Sequence, residues 1–264
     1  MTNKTNPSVL NGRQAYVVLG ASGRIGKAVT KHLLAEGYIV LSVDLNTDPL
    51  YQLHLSLDPS LQANLHILQY NLFDQDQLAA FFADMASRQF HVYGFCNSII
   101  SDKSWNRKQF EELSYDDIRT GILSEIPSQI ILNRAVCDYL SSNGGGSLVL
   151  ISSIQGCFAP KFNHYANTSM TSPLDYSIAK ASSIISAKWL SKFYRGNNLS
   201  VNTVCPGGIL DNQPSQFLER YRKDCSNKGM LNPSDIAPTI AHLLHPSSRY
   251  ITGQNIIIDD GWSL

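Results

Sequence analysis

Ala15 to Leu19 (AYVVL) runs without a polar residue into Gly20-Ala21-Ser22-Gly23-Arg24-Ile25-Gly26, and helical spacing begins at once. A short apolar run ending in glycine reads as a buried strand. Over Arg24 to Glu36, Ile25, Ala28, Val29, His32 and Leu33 share one helical face, and Gly37 stops the helix. A strand that turns through glycines straight into a helix is the first half of a strand–helix–strand unit. That unit commits a chain to parallel pairing, because the helix carries it back across the sheet.

The alternation continues. Strands are expected at 38–43, 66–70, 91–96, 147–151, 199–205 and 255–259, and helices at 74–87, 114–142, 172–194 and 233–244. Pro127 should kink the long helix at 114–142. The strands are apolar without alternation, as in a sheet buried on both faces. The expected fold class is α/β: a single doubly wound domain over 13–264, with a mostly parallel sheet of about seven strands and helices on both faces. Residues 1–12 read as a flexible N-terminal arm, polar and without the apolar core of a secretory signal.

Composition narrows the function classes. Of 264 residues, 43% are hydrophobic and 16% charged, enough for a large core. Lys plus Arg number 21 and Asp plus Glu 21, so the chain lacks the basic footprint expected of a nucleic-acid or anionic-membrane binder. No apolar run approaches the length of a bilayer span. The five cysteines show no CxxC spacing and read as reduced thiols of a cytoplasmic protein, with no metal-ligand set expected.

In open parallel sheets ligands bind at the carboxyl ends of the strands. Gly20, Gly23 and Gly26 would let the backbone approach a pyrophosphate. Ser22, Arg24 and Ile25 complete the loop, and the helix N-terminus supplies free N–H groups. Asp44 ends the second strand, 18 residues past Gly26, where a carboxylate can accept both hydroxyls of an adenosine ribose and repel a 2′-phosphate. NAD(H) is therefore favoured. Arg24 keeps NADP(H) open, and Asp44 could instead be the turn residue of Asp44-Leu45-Asn46. Asn71 and Leu72, after the third strand, fall where adenine should lie. Asn97, after the fourth, falls near the adenosine ribose and the nicotinamide end. All three could equally be strand-end turn residues.

Tyr176-Ser177-Ile178-Ala179-Lys180 holds the sequence's YxxxK. With Ser172 as N-cap and Pro173 at the first helical position, Tyr176 and Lys180 share a face one turn apart. An ammonium beside a phenol lowers its pKa and makes it usable as a general acid/base. Ser153, with Ser152 as the alternative, ends the fifth strand and can hold a substrate oxygen. After the sixth strand, Pro206-Gly207 should turn the chain under the nicotinamide, with Ile209 just beyond. The polar stretch 209–230 could then act as a substrate lid.

This ordered set is similar to the short-chain dehydrogenase/reductase family over essentially the whole chain: Gly20–Gly26, Asp44, Asn97, Ser153, Tyr176, Lys180, Pro206-Gly207, and Gly253-Gln254 before Asp259-Asp260-Gly261. The resemblance implies a Rossmann-type catalytic domain. It gives Tyr176 the acid/base role, while Lys180 orients the nicotinamide ribose and Ser153 holds the substrate oxygen. It also implies a homodimer or homotetramer. Leu19 and Asn71 depart from the family pattern, and Glu125 or Ser124 stands where the family has a helix asparagine serving a proton-relay water. Ser153 and Tyr176 are 23 apart, wider than the family's usual spacing, and the extra residues lie within Ala159 to Thr171.

That insertion, Pro206 to Pro214 and Ile251 to Asn255 resemble the flagellin-modification oxidoreductases linked to sialic-acid-like sugar biosynthesis in bacteria. The activity implied is hydride transfer between the nicotinamide and a secondary alcohol or ketone, of an amino-sugar or sugar-phosphate precursor in surface-glycan biosynthesis. Lys161, His164, Tyr165 and Asn212 are the expected substrate residues, on the insertions at 159–171 and 209–230. The competing reading is a non-catalytic NAD(H)-sensing member of the same fold that binds a protein partner.

Overall fold

The computed structural model describes residues 13–88, 90–101 and 108–264. The expected N-terminal arm, 1–12, lies outside them. Seven strands form one sheet: β1 (Arg13–Leu19), β2 (Ile39–Asp44), β3 (Leu65–Gln69), β4 (Phe90–Asn97), β5 (Gly146–Ile151), β6 (Leu199–Pro206) and β7 (Asn255–Ile258). They lie in the order β3-β2-β1-β4-β5-β6-β7, and every pairing is parallel. The order reverses at β1, whose neighbours are β2 on one side and β4 on the other. A crevice opens at their carboxyl ends.

Alternate residues of β1 feed two cores. Val17 and Leu19 pack with Leu41, Phe81, Phe95, Leu132, Val136 and Leu140. These come from the face covered by α4 (Gln75–Ser87), α5 (Tyr115–Ser142) and α6 (Leu174–Phe193). Tyr16 and Val18 pack with Val29, Leu33, Val40, Ile236 and Ile240 on the face covered by α1 (Arg24–Ala35) and α8 (Pro233–Leu244). Burial on both faces is why the strands carry no polar alternation.

Three short helices escape the sequence reading: α2 (Asp48–Leu55), α3 (Pro59–Gln62) and α7 (Ser215–Lys223). The last lies within the polar stretch 209–230. The helix at 115–142 runs through Pro127 unbroken. The proline removes the donor to Leu123, whose exposed position lets its carbonyl meet water. Helix α6 starts at Leu174, with Pro173 rather than Ser172 as its N-cap. The Ser172 hydroxyl donates instead to Gln155 Oε1 at 3.0 Å, so it is spent on the turn after β5 and not on the helix.

Candidate active site

The glycine loop is held open by its neighbours. Gly20 has φ +76°, and a Cβ there would lie 2.8 Å from the backbone of Ser98 and Ile99. A Cβ at Gly26 would meet the Gly20 carbonyl at 2.3 Å. These two glycines therefore serve close backbone packing. Gly23 is different: its Cβ would meet only the Gly20 carbonyl, at 3.2 Å, and the residue lines the cleft. Gly23 caps α1 without a side-chain hydrogen bond, and the first turn carries no acid. Its backbone donors and positive dipole end are thus available to an anionic phosphate.

Asp44 Oδ2 accepts from Ser22 N at 2.9 Å and Oδ1 from Asn46 N at 3.1 Å, which holds the carboxylate beside the glycine loop. Arg24 turns away from it. Its Nη1 pairs with Asp211 Oδ2 at 3.1 Å and donates to Leu210 O at 3.3 Å, tying the loop to the segment after β6. Asn71 closes a local turn, its Oδ1 accepting from Phe73 N at 3.2 Å, and Leu72 is buried in the core. Asn97 is also buried, and its amide is committed. Its Nδ2 donates to Gln129 Oε1 and Asn133 Oδ1, each at 2.8 Å, and its Oδ1 accepts from Ile99 N at 3.1 Å. The side chains of Leu72 and Asn97 are thus spent on structure, and no local pattern announces the α5 partners of Asn97.

A cleft of about 580 Å³ opens at the strand ends, where Ser153, Tyr176 and Lys180 meet Gly23–Gly26 and Pro206, Gly207 and Ile209. Tyr176 and Lys180 lie on the first two turns of α6, with the Lys180 ammonium 5.8 Å from the Tyr176 ring centroid. Lys180 Nζ also donates to Ile151 O at 3.1 Å. Of the two serines, Ser152 is buried and donates to the Lys180 carbonyl at 2.7 Å, so its hydroxyl is spent. The Ser153 hydroxyl hydrogen-bonds Tyr176 and favours its phenolate. Burial outweighs that contribution: it pushes the Tyr176 phenol above its ordinary value and the Lys180 ammonium below its own. The expected lowering of Tyr176 is therefore overturned in the protein alone.

Glu125 is the α5 residue that faces this pair. It is buried, accepts from Ser101 N at 2.7 Å and Gln129 Nε2 at 3.0 Å, raises Tyr176 and supports the charge on Lys180. Ser124 instead bonds its own helix, at Gly121 O.

On the far side the cleft is walled by His164, Tyr165, Met170, Phe217, Tyr221 and Trp262. His164 and Tyr165 are expected there by name and Met170, Phe217 and Tyr221 as parts of the insertions at 159–171 and 209–230, whereas Trp262 is not expected. Lys161 does not line the cleft. Its ammonium donates to Trp262 O at 3.0 Å and pairs with Asp224 at 3.5 Å. Asn212 is exposed, turned to Asp211 and outside the lining. The segment 209–230 is fastened rather than loose. His164 Nε2 meets Asp224 Oδ2 at 2.6 Å, and the Asp260 carboxylate accepts from the backbone of Asn227 and Gly229.

Residues 20–263 match the family model described as enoyl-(acyl carrier protein) reductase. Post-translational flagellin modification protein A of Campylobacter coli is 36% identical over 248 residues, covering 94% of this chain and 97% of that protein. A short-chain dehydrogenase from Leptospira borgpetersenii, solved with bound NAD+, superposes with a TM-score of 0.82 at 22% identity, covering 100% of this chain and 99% of that one. A 4-hydroxyisoleucine dehydrogenase complexed with NADH gives a TM-score of 0.77 at 22% identity, with 96% and 99% covered.

Proposed function

We propose that this chain, which belongs to the short-chain dehydrogenase/reductase family, is an NAD(H)-dependent oxidoreductase acting on a secondary alcohol or ketone of a sugar-like substrate. The observation that carries the reading is the Ser153–Tyr176–Lys180 group in one cleft with the uncapped, acid-free N-terminus of α1. A purely cofactor-sensing protein has no need of that acid/base group, so catalysis is the better account.

The Gly23–Gly26 turn would hold the pyrophosphate, and Asp44 the adenosine ribose. Arg24, engaged with Asp211, stands away from the position where a 2′-phosphate would need it. When bound, the nicotinamide supplies or accepts the hydride. The chain's own residues handle the proton. Ser153 holds the substrate oxygen, and Tyr176 Oη, protonated at neutral pH in this buried setting, gives a proton to a carbonyl oxygen or takes one from an alcohol. Lys180, fixed by the Ile151 carbonyl and supported by Glu125, places positive charge beside the phenol.

The flagellin-modification relative supports an amino-sugar or sugar-phosphate precursor in surface-glycan biosynthesis as the substrate class. The mixed aromatic and polar wall of the cleft suits such a ring. Cytoplasmic residence fits the five free thiols, and no described helix is long and apolar enough to cross a membrane.

The chain should also self-associate. Ile130, Ile185, Trp189 and Phe193 lie exposed along one face of α5 and α6, around a cavity of about 410 Å³, and contiguous apolar surface of this kind marks an interaction site.

The test is NAD+ reduction with a panel of N-acetylated amino sugars and their phosphates, in parent protein and Tyr176→Phe. The variant should bind NADH normally and lose about 10²–10⁴ in turnover. Near-normal turnover in the variant would remove Tyr176 from the chemistry. A parent protein silent on the whole panel would remove the sugar.

A further inference from the structure

The Gly20–Gly26 turn carries one charged side chain, Arg24. It is the first residue of α1, and it borders both the cleft and an outer groove whose other wall holds Pro49 and Gln52 of α2. Arg24 therefore stands close to the Asp44 end of β2. Ser22, two residues before it, donates from its amide to Asp44 Oδ2 at 2.9 Å and from its hydroxyl to Asn46 O. A guanidinium in this neighbourhood suits a phosphate, and could cancel the like charge that Asp44 sets against a 2′-phosphate.

Arg24 is held elsewhere. Its Nη1 pairs with Asp211 Oδ2 at 3.1 Å and donates to Leu210 O at 3.3 Å, both on the segment after β6. That segment is a braced turn. Gln213 closes it from two sides, its Oε1 accepting from Asp211 N at 2.7 Å and its Nε2 donating to Ile209 O at 2.9 Å. Leu210 N donates to Leu231 O and Leu231 N to Gly208 O, each at 2.8 Å. Asp211 is thus fixed and cannot follow the guanidinium. For Arg24 to turn to the ribose end, the ion pair must break. The two side chains are 51% and 50% exposed, so the exchange is open to a ligand.

We propose that Asp211 is a specificity-determining residue for the cofactor: it keeps Arg24 from neutralising a 2′-phosphate and so adds to the exclusion of NADP(H) begun by Asp44. The inference rests on the NAD(H) reading above and deepens it. Exclusion then has two parts. Asp44 supplies the repulsion, and Asp211 withholds the cation that would cancel it. Binding NADPH through Arg24 costs the ion pair, whereas NADH leaves the pair intact. An exposed pair contributes little to stability, but its whole worth enters the ratio of the two affinities. Asp211 lies outside the cleft lining and acts through Arg24, which makes it a positioning residue.

The experiment measures NADH and NADPH dissociation constants by calorimetric titration of the full-length protein. The set is parent, Asp211→Ala, Asp211→Asn, Arg24→Ala, and Arg24→Ala combined with Asp211→Ala. Removing Asp211 should lower the ratio of the NADPH Kd to the NADH Kd by about 2- to 5-fold, the worth of one exposed ion pair, with NADH itself little changed. Asp211→Asn should act in the same direction, because charge and not volume holds Arg24. In the Arg24→Ala background, removing Asp211 should leave the ratio where it was.

An unchanged ratio in both Asp211 variants overturns the proposal. So does a fall that persists without Arg24, which would mean that Asp211 repels the phosphate directly. Equal weakening of both nucleotides also overturns it, since Asp211 would then only shape the turn. A parent protein that binds neither nucleotide would remove the NAD(H) reading and the proposal together. Failure of the Asp211 arm with NADH bound leaves that reading standing.

Discussion

Asn97 separates two accounts of the fourth strand end. If its side chain contacts the dinucleotide, Asn97→Ala should weaken NADH and leave the free protein stable. The structure predicts the reverse. Asn97 joins β4 to α5 through two hydrogen bonds, to Gln129 and Asn133, and holds the turn after β4 through a third, from the Ile99 amide. Truncation removes all three and leaves two side-chain oxygens and one N–H without that partner in a buried setting. At about 1 kcal/mol net for each bond the loss is about 3 kcal/mol. For a domain of this size each kcal/mol is worth about 2–4 °C, so the melting point of the cofactor-free protein should fall by roughly 6–12 °C.

Asn97→Asp preserves the shape but sets a carboxylate oxygen against the Gln129 and Asn133 oxygens, and should be at least as damaging. Scanning calorimetry of parent and variants at one protein concentration measures the loss, and NADH titration of the folded variants completes the test. An unchanged melting point with NADH affinity reduced tenfold or more would refute the clamp and restore Asn97 as a ligand.

Two further expectations follow from the site and its surroundings. Burial keeps Tyr176 protonated in the free protein, and a cationic nicotinamide beside it should lower its pKa, so NAD+ binding should release protons and tighten as pH rises toward the phenol's range. NADH lacks that charge and should show no such slope. Calorimetry in buffers of different ionisation enthalpy reads the proton count, and equal slopes for the two forms, or a slope surviving in Tyr176→Phe, would contradict the assignment. At the apolar face of α5 and α6, Trp189→Asp should shift the protein toward monomer in light scattering with the fold retained. An unchanged oligomer would place the interface elsewhere.

Much of this molecule is legible in its sequence, because strand and helix signals here are set locally. All seven strands fall within a residue or two of their expected bounds, since both-face burial makes each an apolar run. The glycine loop, Tyr176 and Lys180 are equally visible, carried by spacing alone. What stays hidden depends on tertiary partners. Helix α7 (SQFLERYRK) buries only Phe217 and Tyr221 among charged residues, so its apolar stripe is too narrow to stand out. Ser172 looks like a cap until the Gln155 side chain claims its hydroxyl.

Lys161 looks like a substrate ligand because nothing in the chain announces that Asp224 and the Trp262 carbonyl will hold it. Trp262 itself sits after the last strand, in a stretch without periodicity, and only the folded chain brings it across to His164 and Tyr221. Asn97 shows the same limit from the other side. Its position at a strand end suggests a ligand, but two helix residues more than 30 positions away decide its role.

The central claim is that the Gly20–Gly26 turn and Asp44 form an NAD(H) site, and thermal unfolding with and without cofactor tests it most directly. A ligand that binds only the folded state, present at about 100 times its Kd, adds about 2.7 kcal/mol. For this size that is a rise of roughly 5–10 °C with NADH, and a smaller one with NADPH at the same concentration because Asp44 opposes the 2′-phosphate. Gly23→Val is the decisive variant. Its side chain enters the cleft where the phosphates would lie, whereas one at Gly20 would strike the Ser98–Ile99 backbone and damage the fold itself. The account predicts a Gly23→Val protein that melts near the parent without cofactor and shows no rise with NADH. A flat response of the parent to both nucleotides, or a full rise in Gly23→Val, would contradict it.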